Sequence, residues 1–133
     1  MTTRVAADEE LLIRDLLRDK ITATNTNAGC TLAVPSDWTP GSKPHLTVAS
    51  DGSPAGVWPI VAWPTVRVVA RAADATASKA LANIAMSWLL DHDGTDGVSQ
   101  IRRLVGVMPA HDPETRHDLA WFTVRCGIRT TTV

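Results

Sequence analysis

"PTVRVVARAADATASKALANIAMSWLL", Pro64 to Leu90, holds two different periodicities in one stretch. In its first part Val66, Val68 and Ala70 alternate with Arg67, Val69 and Arg71, the two-residue period of a strand with one buried face. From Asp74 onward the period lengthens. Leu81, Ile84, Ala85, Trp88 and Leu89 recur at helical spacing and form an apolar stripe. Asp74 stands where an N-cap belongs, and the many alanines favour helix and permit close approach to a sheet. A half-buried strand leading straight into an amphipathic helix predicts a helix layered on a sheet.

Downstream, "VSQIRRLVGVM" reads as a strand. The last segment, "DLAWFTVRCGIRT", places Ala120, Phe122, Val124, Cys126 and Ile128 on one face of a strand. Leu119, Trp121, Thr123, Arg125 and Arg129 occupy the other. Towards the N-terminus, "DEELLIRDLLRDKI" spaces Leu12, Ile13, Leu16, Leu17 and Ile21 along one side of a helix. Asp8, Glu9 and Glu10 lie at the end of that helix that favours negative charge, and Arg18 and Lys20 near the other. Between the halves, residues 35–59 form a Pro/Gly-rich loop region. Short strands fit around Thr31–Val34 and His45–Ala49, with a flexible loop expected over Pro35–Pro44. The expected fold is α+β: a largely antiparallel β-sheet with two helices packed on one face, in a single domain over residues 1–133.

The chain has 133 residues, 44% apolar and 20% charged, and a net charge of −1. That is a soluble globular profile, and the balance of charge does not point to nucleic acid or an anionic membrane. The first residues turn acidic too soon for a secretory signal, and no apolar run is long enough to span a bilayer. Cys30 and Cys126 form no metal-type pair, and a reduced, intracellular site of folding is expected.

Two polar segments contain metal-ligand residue types. "LLDHDGTDGVSQ" places Asp91, Asp93 and Thr95 where a calcium loop has its first ligands. However, Asp96 replaces the required glycine, and Arg102 stands where the bidentate glutamate belongs. The segment instead reads as a helix stop and turn. His92 sits at the helix end, with Gly94 and Gly97 supplying positive φ. "AHDPETRHD" offers His111, Asp112, Glu114, His117 and Asp118, but its spacing matches no zinc signature and Asp-Pro is a turn signal. A metal-dependent enzyme would require His111, Asp112 and His117 to converge with Asp91 or Asp93. Cys126 lies on the apolar face of its strand, as a structural thiol would. No phosphate-binding, dinucleotide-binding or serine-nucleophile motif occurs, so no catalytic residue, cofactor or metal is expected.

The remaining signals concern surfaces. Trp58-Pro59 and Trp63-Pro64 mark an edge strand or a loop feeding into one, and their tryptophans suit either a core cover or a partner surface. Arg67, Arg71, Arg125 and Arg129, with Leu119 and Trp121, lie opposite the apolar faces of their strands. If the helices cover those apolar faces, the six share the uncovered side of the sheet. Trp and Arg together suit a protein interface. Nucleic acid fits less well, because no series of aromatics for base stacking is present.

The run Pro64–Leu90, the Gly/Asp turn, and "IRRLVGVMPAHDPETRHDLAWFTVRCGIR" with its G-x-x-x-x-x-D-P loop resemble the tail terminator proteins of long-tailed, non-contractile bacteriophages. The resemblance covers about residues 55–133 and extends loosely to the first helix. It implies a non-enzymatic virion structural protein assembled in the host cytoplasm and located at the head-proximal end of the phage tail. There a homo-oligomeric ring, hexameric in that family, would cap the tail tube protein, end tube polymerisation and meet the head-tail connector proteins. No membrane and no sequence-specific nucleic acid would be involved. A head-completion or neck connector protein would share much of this pattern.

Overall fold

The computed structural model describes residues 4–6, 8–52, 61–94 and 97–132. Residues Arg4–Ala6 form β1, Glu9–Ala23 α1, Gly29–Thr31 β2 and His45–Gly52 β3. They are followed by β4 (Val61–Ala62), β5 (Thr65–Arg71), α2 (Ala75–Leu90), β6 (Val98–His111) and β7 (Asp118–Thr132). The fold is α+β, as expected, with both helices on one face of a mostly antiparallel sheet.

β7 organises the sheet. It pairs antiparallel with β5, β6, β4 and β1, and β5 continues through β3 to β2. Among the described strands only β2 and β3 pair in parallel. Their connection is residues 32–44, the length such a crossover demands. Gly29 lies opposite His45, and a Cβ there would come within 2.7 Å of the imidazole Nδ1. Glycine therefore lets the histidine ring lie flat against β2. The expected strand at Thr31–Val34 begins two residues earlier and ends at Thr31, leaving Leu32 and Val34 exposed.

The alternation read from the sequence orients the inner face. Val66, Val68, Ala70, Ala120, Phe122, Val124, Cys126 and Ile128 are fully buried. α1 contributes Ile13 and Leu17 to the same cluster, with Leu12, Leu16 and Ile21 packed at its margin. Asp8 caps α1, its carboxylate accepting from the amides of Glu10 and Leu11. Asp74 caps α2 through the amide of Ala77. The stripe on α2 is rotated from the expected one. Ser78, Leu81, Ala82, Ala85 and Leu89 are buried, Trp88 is at the margin, and Ile84 is 45% exposed. The helix presents its small residues to the sheet because close approach excludes a branched side chain at that contact. Ser78 fits there only because its hydroxyl has partners, accepting from the amide of Ala72 and donating to the carbonyl of Asp118. Burial pushes the thiol pKa of Cys126 up to about 12 and that of Cys30 up to about 11, so both remain protonated structural side chains.

The helix stop after α2 takes the expected form: Gly94 and Gly97 have φ of +86° and +81°. His92 donates from Nε2 to the carbonyl of Val98 at 3.1 Å, tying the turn to the start of β6. The loop over Pro35–Pro44 has anchors that its composition did not reveal. Trp38 donates from Nε1 to Lys43, and its ring meets His117 edge-on at 6.0 Å. No described helix is long and apolar enough to cross a membrane.

Candidate functional site

The segments 91–94 and 111–118 lie at opposite ends of β7. Arg129 bonds to Gly94 and Gly97 near one end, and His111 pairs with Asp118 at the other. About ten residues of strand separate them, roughly 33 Å. His111, Asp112 and His117 therefore cannot converge with Asp91 or Asp93, which corrects the arrangement a metal-dependent enzyme required. Among the described residues no three His, Cys, Asp or Glu side chains are grouped to hold an ion.

Residues 111–118 form a braced hairpin loop. Asp112 accepts from the amides of Glu114 and Thr115 and from Nη2 of Arg71 at 3.0 Å. Those two amides and the guanidinium hold the Asp112 pKa down at about 2. The unfolded carboxyl titrates near 3.9. A depressed folded pKa stabilises the protein fully above about pH 4, and that contribution is lost as pH falls through about 2. Carbon-detected NMR titration should place the Asp112 midpoint near 2, and Arg71→Gln should raise it. An unshifted midpoint in the wild type would show that the loop is not held this way.

The surface that stands out is the sheet face turned away from the helices. Trp121 sits near its middle, flanked across the strands by Val69 of β5 and Met108 of β6. Arg67 lies over the indole, its guanidinium carbon 5.4 Å from the ring centroid, and forms an ion pair with Asp51 at 3.1 Å. Arg125 is half-buried and directly opposite Arg102 of β6. Arg129 is exposed, with Nη1 donating to the carbonyl of Gly94.

The expected surface residues do not all share one environment. Arg71 is committed to Asp112, with little side-chain exposure. Leu119 is 8% exposed, between Arg71 and Ala110 in the sheet, and is not available to a partner. Trp63 follows β4 and lies against Gly127, where a Cβ would come within 3.1 Å of its ring. It thus covers the far end of the same face, and only a residue without a side chain fits beneath it. Trp58 lies outside the described residues.

Two apolar residues of β6 belong to this surface without a signal in the sequence, Val105 and Met108, at 36% and 46% exposure, paired with Thr123 and Trp121. β6 slips register three times against β7, between Val98 and Gln100, Arg103 and Val105, and Val105 and Met108. Each slip breaks the alternation, so apolar residues that a regular strand would turn inward end up outside. Gly106 within "LVGVM" was the available hint of such a bulge. The chain matches no protein-family model and no curated protein sequence.

Proposed function

We propose that this chain is a virion structural protein similar to the phage tail terminators. It would form a ring on the tail tube, end tube polymerisation and provide the surface that meets the head connector. One observation carries the reading: Trp121, Val105 and Met108, ringed by arginines, sit together on the sheet face that the helices leave open. Apolar and aromatic anchors within a charged margin are the anatomy of a protein interface. The α+β fold with both helices on one face also agrees with the architecture that the resemblance implies.

Native mass spectrometry with sedimentation velocity tests the reading. The expected result is one closed species several subunits in mass, six if the resemblance extends to ring size. A chain that stays monomeric up to its solubility limit would overturn it.

A further inference from the structure

The outer sheet face is electrostatically incomplete. Arg102 and Arg125 are directly opposed across β6 and β7, and like charges so placed repel. Arg67 lies one strand over, opposite Thr123. Asp51 is the carboxylate paired with Arg67. Thr123 is only 4% exposed, and its Oγ1 and the Nε of Arg125 are buried without a hydrogen-bond partner. Buried polar groups left unmatched are costly, and such a cost is expected where a surface is completed by something else. The rim beside them is apolar: Val105 and Met108 are exposed next to Trp121.

The opposite side of the molecule has the complementary character. α1 buries Ile13 and Leu17 against the core, so its outward line runs through Asp8, Leu11, Asp15 and Asp19. All four are exposed. Asp15 pairs with the adjacent Arg14 yet keeps 59% of its side chain exposed, a weak surface pair that a second cation can displace. Arg18, beside this line, is drawn towards β2 by its bond to the carbonyl of Cys30 at 2.8 Å.

We infer that the outward line of α1 on one copy of this chain docks on the outer sheet face of the next, carboxylates on Arg102 and Arg125 and Leu11 among Val105, Met108 and Trp121. The inference rests on the ring reading and specifies its interface. The two patches are different, so the contact is heterologous, the kind that closes rings. Nucleic acid is the weaker occupant. Arg67 already covers the Trp121 ring, denying one face to a base, and the carboxylates outnumber the cations over the whole chain.

Charge reversal tests the pairing. Arg102→Glu alone, and Asp15→Arg with Asp19→Arg, should each raise the concentration for half-assembly by about tenfold or more while circular dichroism stays unchanged. Mixing the two variants should restore assembly in alternating order, because one junction then joins the two unaltered patches and the next joins the two charge-reversed ones, which are again complementary. Arg102→Gln serves if Arg102→Glu does not fold, with a smaller loss expected. An assembled wild type that ignores the α1 reversal overturns this pairing and leaves the ring reading intact. So does an Arg102→Glu copy that assembles as well with wild type as with the α1 variant, which would indicate a sheet-to-sheet contact. A monomeric wild type overturns both readings. If that monomer binds DNA with a steep salt dependence that Arg102→Glu flattens, the arginines serve nucleic acid instead.

Discussion

Phe122→Ala is expected to destabilise the fold by about 3–5 kcal/mol. Phe122 is the chain's one phenylalanine and, among the described residues, the largest fully buried side chain. It lies at the middle of the β5–β7 pairing, opposite Val68, on the face that α2 covers. Its neighbours on that face, Ala120 and Val124, are smaller and fully buried. The side of α2 turned to the core carries Leu81 and Leu89 with Ser78, Ala82 and Ala85 between them, and these three are too short to reach into the space a lost ring would leave. The cavity would stay open, which places the cost in the upper part of the range for large-to-small substitutions. Small domains have only about 5–15 kcal/mol of net stability, so the variant should unfold at much lower urea than the wild type. Equilibrium urea unfolding at one fixed protein concentration measures the loss. A change below about 1 kcal/mol would mean that this face of β7 is not the packed one.

Trp121→Ala should have a different outcome under the proposed ring: a folded subunit that assembles poorly. The neighbouring position on β7 points the opposite way, so the ring lies on the outer face, half-buried between Val69 and Met108 under Arg67. Inside the subunit the truncation removes partial burial and a cation–π contact worth about 0.5–1 kcal/mol at an exposed site. At an interface an aromatic anchor is worth on the order of 2 kcal/mol or more, and a tenfold change in affinity corresponds to about 1.4 kcal/mol. Each contact would weaken by roughly thirtyfold, and a ring repeats that loss at every junction. Sedimentation velocity should show smaller species at concentrations where the wild type is assembled, with circular dichroism near that of the wild type. Unfolding of the isolated subunit would assign Trp121 to the core. Unaltered assembly would remove the centre of the outer face from the contact, and the Trp63 end would become the better candidate.

The inner face was legible from the sequence because burial on one side of a regular strand enforces alternation. Val66, Val68 and Ala70 in β5, and Ala120 through Ile128 in β7, fall where that period put them. The caps at Asp8 and Asp74 and the turn glycines Gly94 and Gly97 were legible for a similar reason. Each solves a local backbone problem, an unsatisfied amide or a positive φ, that few residue types can solve. The rotation of α2 was not readable in the same way. Ile84 and Ala82 compete for a position set by how closely helix and sheet approach, and that distance belongs to the packed pair.

The α+β class, the helices and principal strands, the buried side of β5 and β7, and the turn after α2 are all written locally in the chain. All of these follow from periodicity and from constraints within a few residues of chain. Tertiary structure decided which outward residues remain available. Leu119 and Arg71 share the alternation of Trp121, yet one is buried and the other tied to Asp112, forty-one positions away. Val105 and Met108, three positions apart, both face outward because β6 slips against β7 between them, a property of two strands pairing rather than of either strand. Arg102 meets Arg125, and Thr123 and Arg125 keep polar atoms unmatched, only once the register of β6 and β7 has brought distant segments together. Which side of a residue points outward is encoded locally, whereas what it meets there depends on the paths of all the other strands.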